Sequence, residues 1–246
     1  MLASRNFICY TLPFMRYQDL PPGPSGIEIE YFLEAIEYFS NLSQVMQGGI
    51  ALVGLSFGGA LVLKLSTLTE KVCAVIAMSS NYYLVMPMLH QGKVLPTYFK
   101  SPDDFVQVRF DNRGGCLEKD FYDTSDKMLP YGFPIEKSSA KFLLVVGQND
   151  LVVEAEHCMK RYVERMRRFG KENQVSLLAY PKTGHFLDPP YGPQTFLYYN
   201  PHYKAVNAAG GELIEQAAAC EHCWHRTLEF LAENIPGKHT ISSSKL

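Results

Sequence analysis

Residues Gly49 to Ala60 read GIALVGLSFGGA. An apolar run, Ile50 to Val53, stops at Gly54; Leu55, Ser56, Phe57, Gly58 and Gly59 follow, and an apolar helical pattern starts at once (Ala60, Leu61, Val62, Leu63, Leu65). Strand, Gly-x-Ser-x-Gly, helix is the context of a nucleophile elbow, a sharp turn that lifts a serine hydroxyl clear of the sheet edge. Gly54 and Gly58 carry no Cβ to clash where strand and helix cross. The Phe57 amide stands at the helix N-terminus, where unpaired N–H groups can stabilise an oxyanion.

Working outward, the chain of 246 residues is long enough for one large domain with a sizeable core. A hydrophobic content of 47% with 20% charged residues marks a folded chain, and a formal net charge of −2 gives no footprint for nucleic acid. No apolar run is long enough for a membrane span. The opening, MLASRNFICYTL, lacks the apolar core and cleavage site of a secretory signal. The six cysteines (Cys9, Cys73, Cys116, Cys158, Cys220, Cys223) are read as reduced thiols in an intracellular compartment.

In chain order, Phe7–Leu12 is a short strand candidate, broken after by Pro21, Pro22, Gly23, Pro24 and Gly26. Ile27 to Leu42 reads as an amphipathic helix through Ile29, Phe32, Leu33 and Ile36, with Ser25 as its N-cap. Val72 to Met78 is a buried strand, continuously apolar as parallel strands are. Phe142 to Val146 and Val175 to Tyr180 are two more, the second being the last strand expected. Glu154 to Phe169 is a helix with a basic, solvated face, and Glu212 to Asn234 is the final amphipathic helix. Cysteines 220 and 223 share a face of that helix without a second cluster to complete four ligands, so no metal is assigned. The alternation predicts a mostly parallel sheet with helices on both faces.

Two segments stand outside that rhythm. Residues 80–139 are rich in Tyr, Phe, Met and Pro and read as an insertion over the carboxyl ends of the strands. That insertion is either a plain connection or a lid and acyl-chain wall. The single large domain is taken as residues 1–240 and the loose tail as 241–246. The tail ends in Ser244, Lys245 and Leu246, a peroxisomal import address read by a receptor, so the chain is expected in the peroxisome after synthesis in the cytosol.

A serine hydroxyl needs a base to remove its proton and a third group to orient that base. Asp150 lies three residues beyond Gly147, at the carboxyl end of a strand; His185 lies in a Gly-His loop after the next strand. The order Ser56, Asp150, His185 is the order the α/β-hydrolase fold uses.

These residues sit in stretches that resemble the C-terminal α/β-hydrolase domain of the acyl-CoA thioesterase and bile acid-CoA:amino acid N-acyltransferase family. The matching stretches are RYQDLPPGPSGIEIEYFLEAIEYF, IALVGLSFGGALVL, KFLLVVGQNDLVVEAEHC and LLAYPKTGHFLDPPYGP. The resemblance covers most of the chain and is weakest across the insertion. It implies a triad of Ser56, Asp150 and His185, with Phe57 in the oxyanion hole, no cofactor, and acyl-CoA as substrate. A serine nucleophile resembles the hydrolytic members; those that transfer acyl groups to amino acids often carry cysteine there. The family pattern also leads to an expectation of truncation at the N-terminal side. An upstream β-sandwich, a strand, and a glycine-rich loop with the second oxyanion donor have no counterpart here. The readings carried forward are an acyl-CoA thioesterase, an amino acid N-acyltransferase, an esterase, and a weakly active or inactive acyl-CoA-binding remnant.

Overall fold

The computed structural model describes residues 2–23, 26–45, 49–97, 108–201 and 204–236. The elements are α1 (Ile29–Ser40), β1 (Ile50–Leu55), α2 (Phe57–Leu65), β2 (Val72–Met78), β3 (Leu89–His90), β4 (Lys93–Val94), β5 (Lys141–Gly147), α3 (Ala155–Arg168), β6 (Val175–Tyr180), β7 (Leu197–Asn200), β8 (Ala205–Ala208) and α4 (Leu213–Asn234). Strands β1, β2, β5 and β6 form a parallel sheet in that spatial order, and the other four make two antiparallel hairpins.

Side-chain alternation along the strands explains the layers. In β5, Phe142, Leu144 and Val146 face a core with α1, α2 and α3, while Leu143 and Val145 face a second core with α4. In β2, Val75 and Ala77 take the first side, and Ala74, Ile76 and Met78 the second. A strand buried on both faces has no polar position to spare, hence the uninterrupted VCAVIAM and FLLVV runs. Fully buried side chains such as Leu63 and Leu144 each contribute about 1.5–3 kcal/mol.

The stretch Phe7–Leu12 is not a strand. Phe7 packs on the α4 face, whereas Leu12, Phe14 and Met15 pack on the opposite face, so the segment crosses from one side of the sheet to the other. Between those anchors Ile8 and Tyr10 are 60% and 61% exposed. Apolar residues favour a strand only where neighbours bury both their faces, and this run has anchors at its ends instead. As a result β1 is the edge of the sheet among the described residues, and Val53 is 47% exposed.

Other expectations also change. The first helix is capped by Glu28 through its backbone, without a side-chain bond; Ser25 lies outside the described residues, as does the 241–246 tail with Ser244, Lys245 and Leu246. The strand at Val175–Tyr180 is not the last: β7 and β8 follow and pair antiparallel. The basic face of α3 is not simply solvated. Arg165 holds Glu136 at 2.5 and 2.8 Å, and Arg161 reaches Asp126 at 2.7 Å, so this face ties down the segment leading into β5.

Candidate active site

Ser56 stands between β1 and α2 with φ 58° and ψ −121°, and its side chain makes no capping bond. This backbone region is costly for a residue with a Cβ and persists only where the surroundings fix it. The surroundings here are tight. A Cβ at position 54 would lie 2.2 Å from the Gly58 carbonyl oxygen, and one at position 59 would lie 2.7 Å from Ser80 Cβ. Position 58 itself is open, so the steric demand falls on Gly54 and Gly59 rather than on Gly54 and Gly58. The Ser56 N–H donates to Met78 C=O at 2.9 Å, which fixes the turn to the end of β2. The Phe57 N–H opens α2 and has no backbone acceptor among the described residues.

Asp150 and His185 come from separate strand ends, 35 positions apart, and meet. His185 Nδ1 donates to Asp150 Oδ2 at 2.9 Å, with the two residues only 2% and 5% exposed. A carboxylate only accepts, so Nδ1 carries a proton and Nε2 is left for another partner. The other carboxylate oxygen, Asp150 Oδ1, accepts the N–H groups of Val152 (2.8 Å) and Val153 (3.0 Å). Those bonds orient Asp150 before any partner arrives.

The two loops are cross-braced by backbone. Gln148 N–H donates to Tyr180 C=O and Asn149 N–H to Thr183 C=O, both at 2.9 Å; His185 N–H donates to Ala209 C=O at 2.9 Å. Gly210, with φ +80°, leaves no room for a side chain: a Cβ there would lie 1.8 Å from Asn149 O. The segment after β8 therefore presses directly on the loop that carries Asp150.

Gln216, which the sequence reading missed, completes the brace. It lies in the first turns of α4 and is 2% exposed. Its Oε1 accepts Gly184 N–H at 2.7 Å, and its Nε2 donates to Phe186 C=O at 2.5 Å. One amide thus grips the chain on both sides of His185. A lone Gln in a helix gives no signal in the sequence, since nothing there says which loop it faces.

Ser56 and Phe57 line a cavity of about 200 Å³ with Asn81, Tyr83, Val85, Met86, Tyr122 and Glu118 among its walls. Glu118, also missed, is a buried carboxylate. It accepts from the Tyr122 and Tyr198 hydroxyls (2.6 Å each), Asn200 Nδ2 (3.2 Å) and Asn207 Nδ2 (2.5 Å). It ties the β7–β8 hairpin to the cavity wall. Among the described residues the Ser56 hydroxyl makes no hydrogen bond to His185, so the structure joins Asp150 to His185 and leaves Ser56 on the cavity side. Hydrogen bonds of this kind often tighten only when substrate is bound.

The strained serine turn and the parallel sheet belong to the α/β-hydrolase fold. A Mycobacterium tuberculosis puromycin-hydrolyzing peptidase superposes with a TM-score of 0.50 at 13% identity, over 85% of this chain and 25% of that one. In sequence, mouse bile acid-CoA:amino acid N-acyltransferase is 31% identical over 96% of this chain and 56% of its own length. Mouse peroxisomal succinyl-coenzyme A thioesterase is 28% identical over 100% of this chain and 58% of its own length. The chain thus spans a little over half of these relatives. Residues 27–237 match the model of the BAAT / acyl-CoA thioester hydrolase C-terminal domain, and the chain is a member of that family.

Proposed function

We propose that this chain is an acyl-CoA thioester hydrolase with Ser56 as its nucleophile. The observation that carries the reading is the buried 2.9 Å bond between His185 and Asp150, in a sheet whose β1 ends in a strained serine turn. His185, held in one tautomer by Asp150, takes the Ser56 proton through Nε2. Ser56 Oγ attacks the thioester carbonyl carbon, and the Phe57 N–H stabilises the oxyanion. The C–S bond breaks, CoA leaves as a thiol with the proton from His185, and an acyl ester remains on Ser56. Water, deprotonated by the same imidazole, releases the fatty acid. Tyr83, Val85 and Met86, from the segment between β2 and β5, are the apolar wall for the acyl chain.

The similarity to an amino acid N-acyltransferase supports a second outcome of the same acyl-enzyme: an amine in place of water, giving an N-acyl amino acid. Release of free thiol from a panel of acyl-CoAs, with and without amino acids, tests both. Hydrolysis predominates on this reading, and Ser56→Ala abolishes it. Thiol release undiminished in Ser56→Ala would refute the mechanism, and preference for simple esters over acyl-CoAs would refute the substrate. Ser244, Lys245 and Leu246 are proposed to deliver the chain to the peroxisome through the import receptor. Their deletion should leave a fluorescent fusion in the cytosol.

A further inference from the structure

Besides Ser56, the cavity is lined by Asn81, whose side-chain amide donates no hydrogen bond among the described residues. Asn81 is 4% exposed and lines that cavity with Ser56 and Phe57. Its Oδ1 accepts from the Cys158 thiol at 3.8 Å. Burial pushes that thiol up to about 12, so it keeps its proton and remains a donor. Oδ1 is thereby committed, and Nδ2 is the free arm of the amide. Among the described residues it donates to nothing. Asn81 lines the cavity, so this arm of the amide is available to an acceptor that arrives with the ligand.

The backbone brings Asn81 there deliberately. At the end of β2, Ser79 takes φ 45°, a region disfavoured for a residue with a Cβ. Its N–H is fixed to Val145 C=O at 2.8 Å. The chain turns at this point, directly against the elbow: Met78 C=O accepts the Ser56 N–H, and Ser80 blocks any side chain at position 59. Asn81 is the next residue after this contact, and the strain at Ser79 sets its course into the cavity. A single backbone N–H, that of Phe57, gives an oxyanion one donor. A tetrahedral centre at Ser56 calls for a second, preorganised one.

We propose that the Asn81 side-chain amide is a second oxyanion donor, acting with the Phe57 N–H on the intermediate formed at Ser56. The inference rests on the acyl-CoA hydrolase reading and adds a catalytic residue to it. The alternative role, holding an amide or carbonyl of the bound substrate in its ground state, makes a different kinetic prediction. An oxyanion donor acts on kcat; a ground-state contact acts on KM.

The test uses the full chain with Asn81→Asp and Asn81→Leu, both close to the native side chain in size and both lacking the amide donor. Thiol release gives kcat and KM; a thioether analogue of acyl-CoA reports ground-state binding, and a trifluoromethyl ketone analogue reports oxyanion binding. We expect kcat to fall about 100- to 1,000-fold. Affinity for the ketone should fall in parallel, while KM and thioether affinity stay near wild type. Retained thioether binding also shows that a variant has folded, so one folded variant of the two suffices. Variants with wild-type kcat, or a loss confined to KM and thioether binding, would overturn the inference and leave the hydrolase reading standing. A wild-type chain with no thiol release and no covalent adduct at Ser56 would overturn both.

Discussion

At the scale of single residues the site depends on positions where one atom decides the outcome. Gly54→Ala adds a methyl group 2.2 Å from a backbone oxygen that cannot swing away. Thermal unfolding should show a loss of about 2–3 kcal/mol, and the elbow should not form correctly. Gln216→Leu keeps the volume but leaves Gly184 N–H and Phe186 C=O without partners. Its expected cost is about 2–4 kcal/mol, together with a fall in kcat of about 100-fold from a displaced imidazole. Thioether acyl-CoA binding should hardly change, because Gln216 is not among the residues lining the cavity beside Ser56. Ser56, Asp150 and His185 were legible in the sequence as candidates, because a motif and a chain order pointed to them, and the structure joins the last two. Gln216, Glu118 and Asn81 were not, because their importance lies in what they face. A neutral amide or a buried carboxylate is identified by its partners, and those lie 30 to 89 positions away for Gln216 and for the β7–β8 groups on Glu118.

At the scale of elements, continuous apolar runs located β2 and β5 well, since strands buried on both faces cannot carry polar residues. Elsewhere the same composition serves another end. Phe7–Leu12 is apolar because it is anchored on both faces of the sheet, and β7 and β8 are only four residues each and partly exposed, so they are too short to show a clear alternation. Helix α3 shows the converse. Its arginines resemble a solvated face in sequence, yet Arg165 grips the buried Glu136. The hydrogen bond from Arg165 holds the Glu136 carboxyl below its usual range. A carboxyl depressed in the folded state adds stability at pH above its ordinary value and loses it as pH falls through the lowered one. Glu136→Gln should therefore cost about 2–3 kcal/mol near neutrality, and its deficit relative to wild type should shrink as the pH is lowered. Chemical denaturation across that range measures the difference.

At the scale of the whole molecule, the two cores and the four-stranded sheet leave β1 as an edge among the described residues. Val53 on that edge is half-exposed in a β-prone run, a template for pairing with another strand. Val53→Lys should change the unfolding free energy by no more than about 0.5 kcal/mol. It should also reduce self-association in light scattering at high protein concentration; equal scattering from both proteins would mean the edge is already covered. The same sheet positions the candidate residues. The carboxyl ends of β1, β5 and β6 carry Ser56, Asp150 and His185, and the β7–β8 hairpin and α4 brace the last two.

The most direct test is to mix the chain with an acyl-CoA, quench with acid within the first turnover, and map the modified peptide by mass spectrometry. The acyl group should be found as an ester on Ser56, formed together with one equivalent of free CoA thiol and absent from Ser56→Ala. Thiol released at the same rate by Ser56→Ala, with no acyl group on the Ser56 peptide of the wild type, would contradict the account.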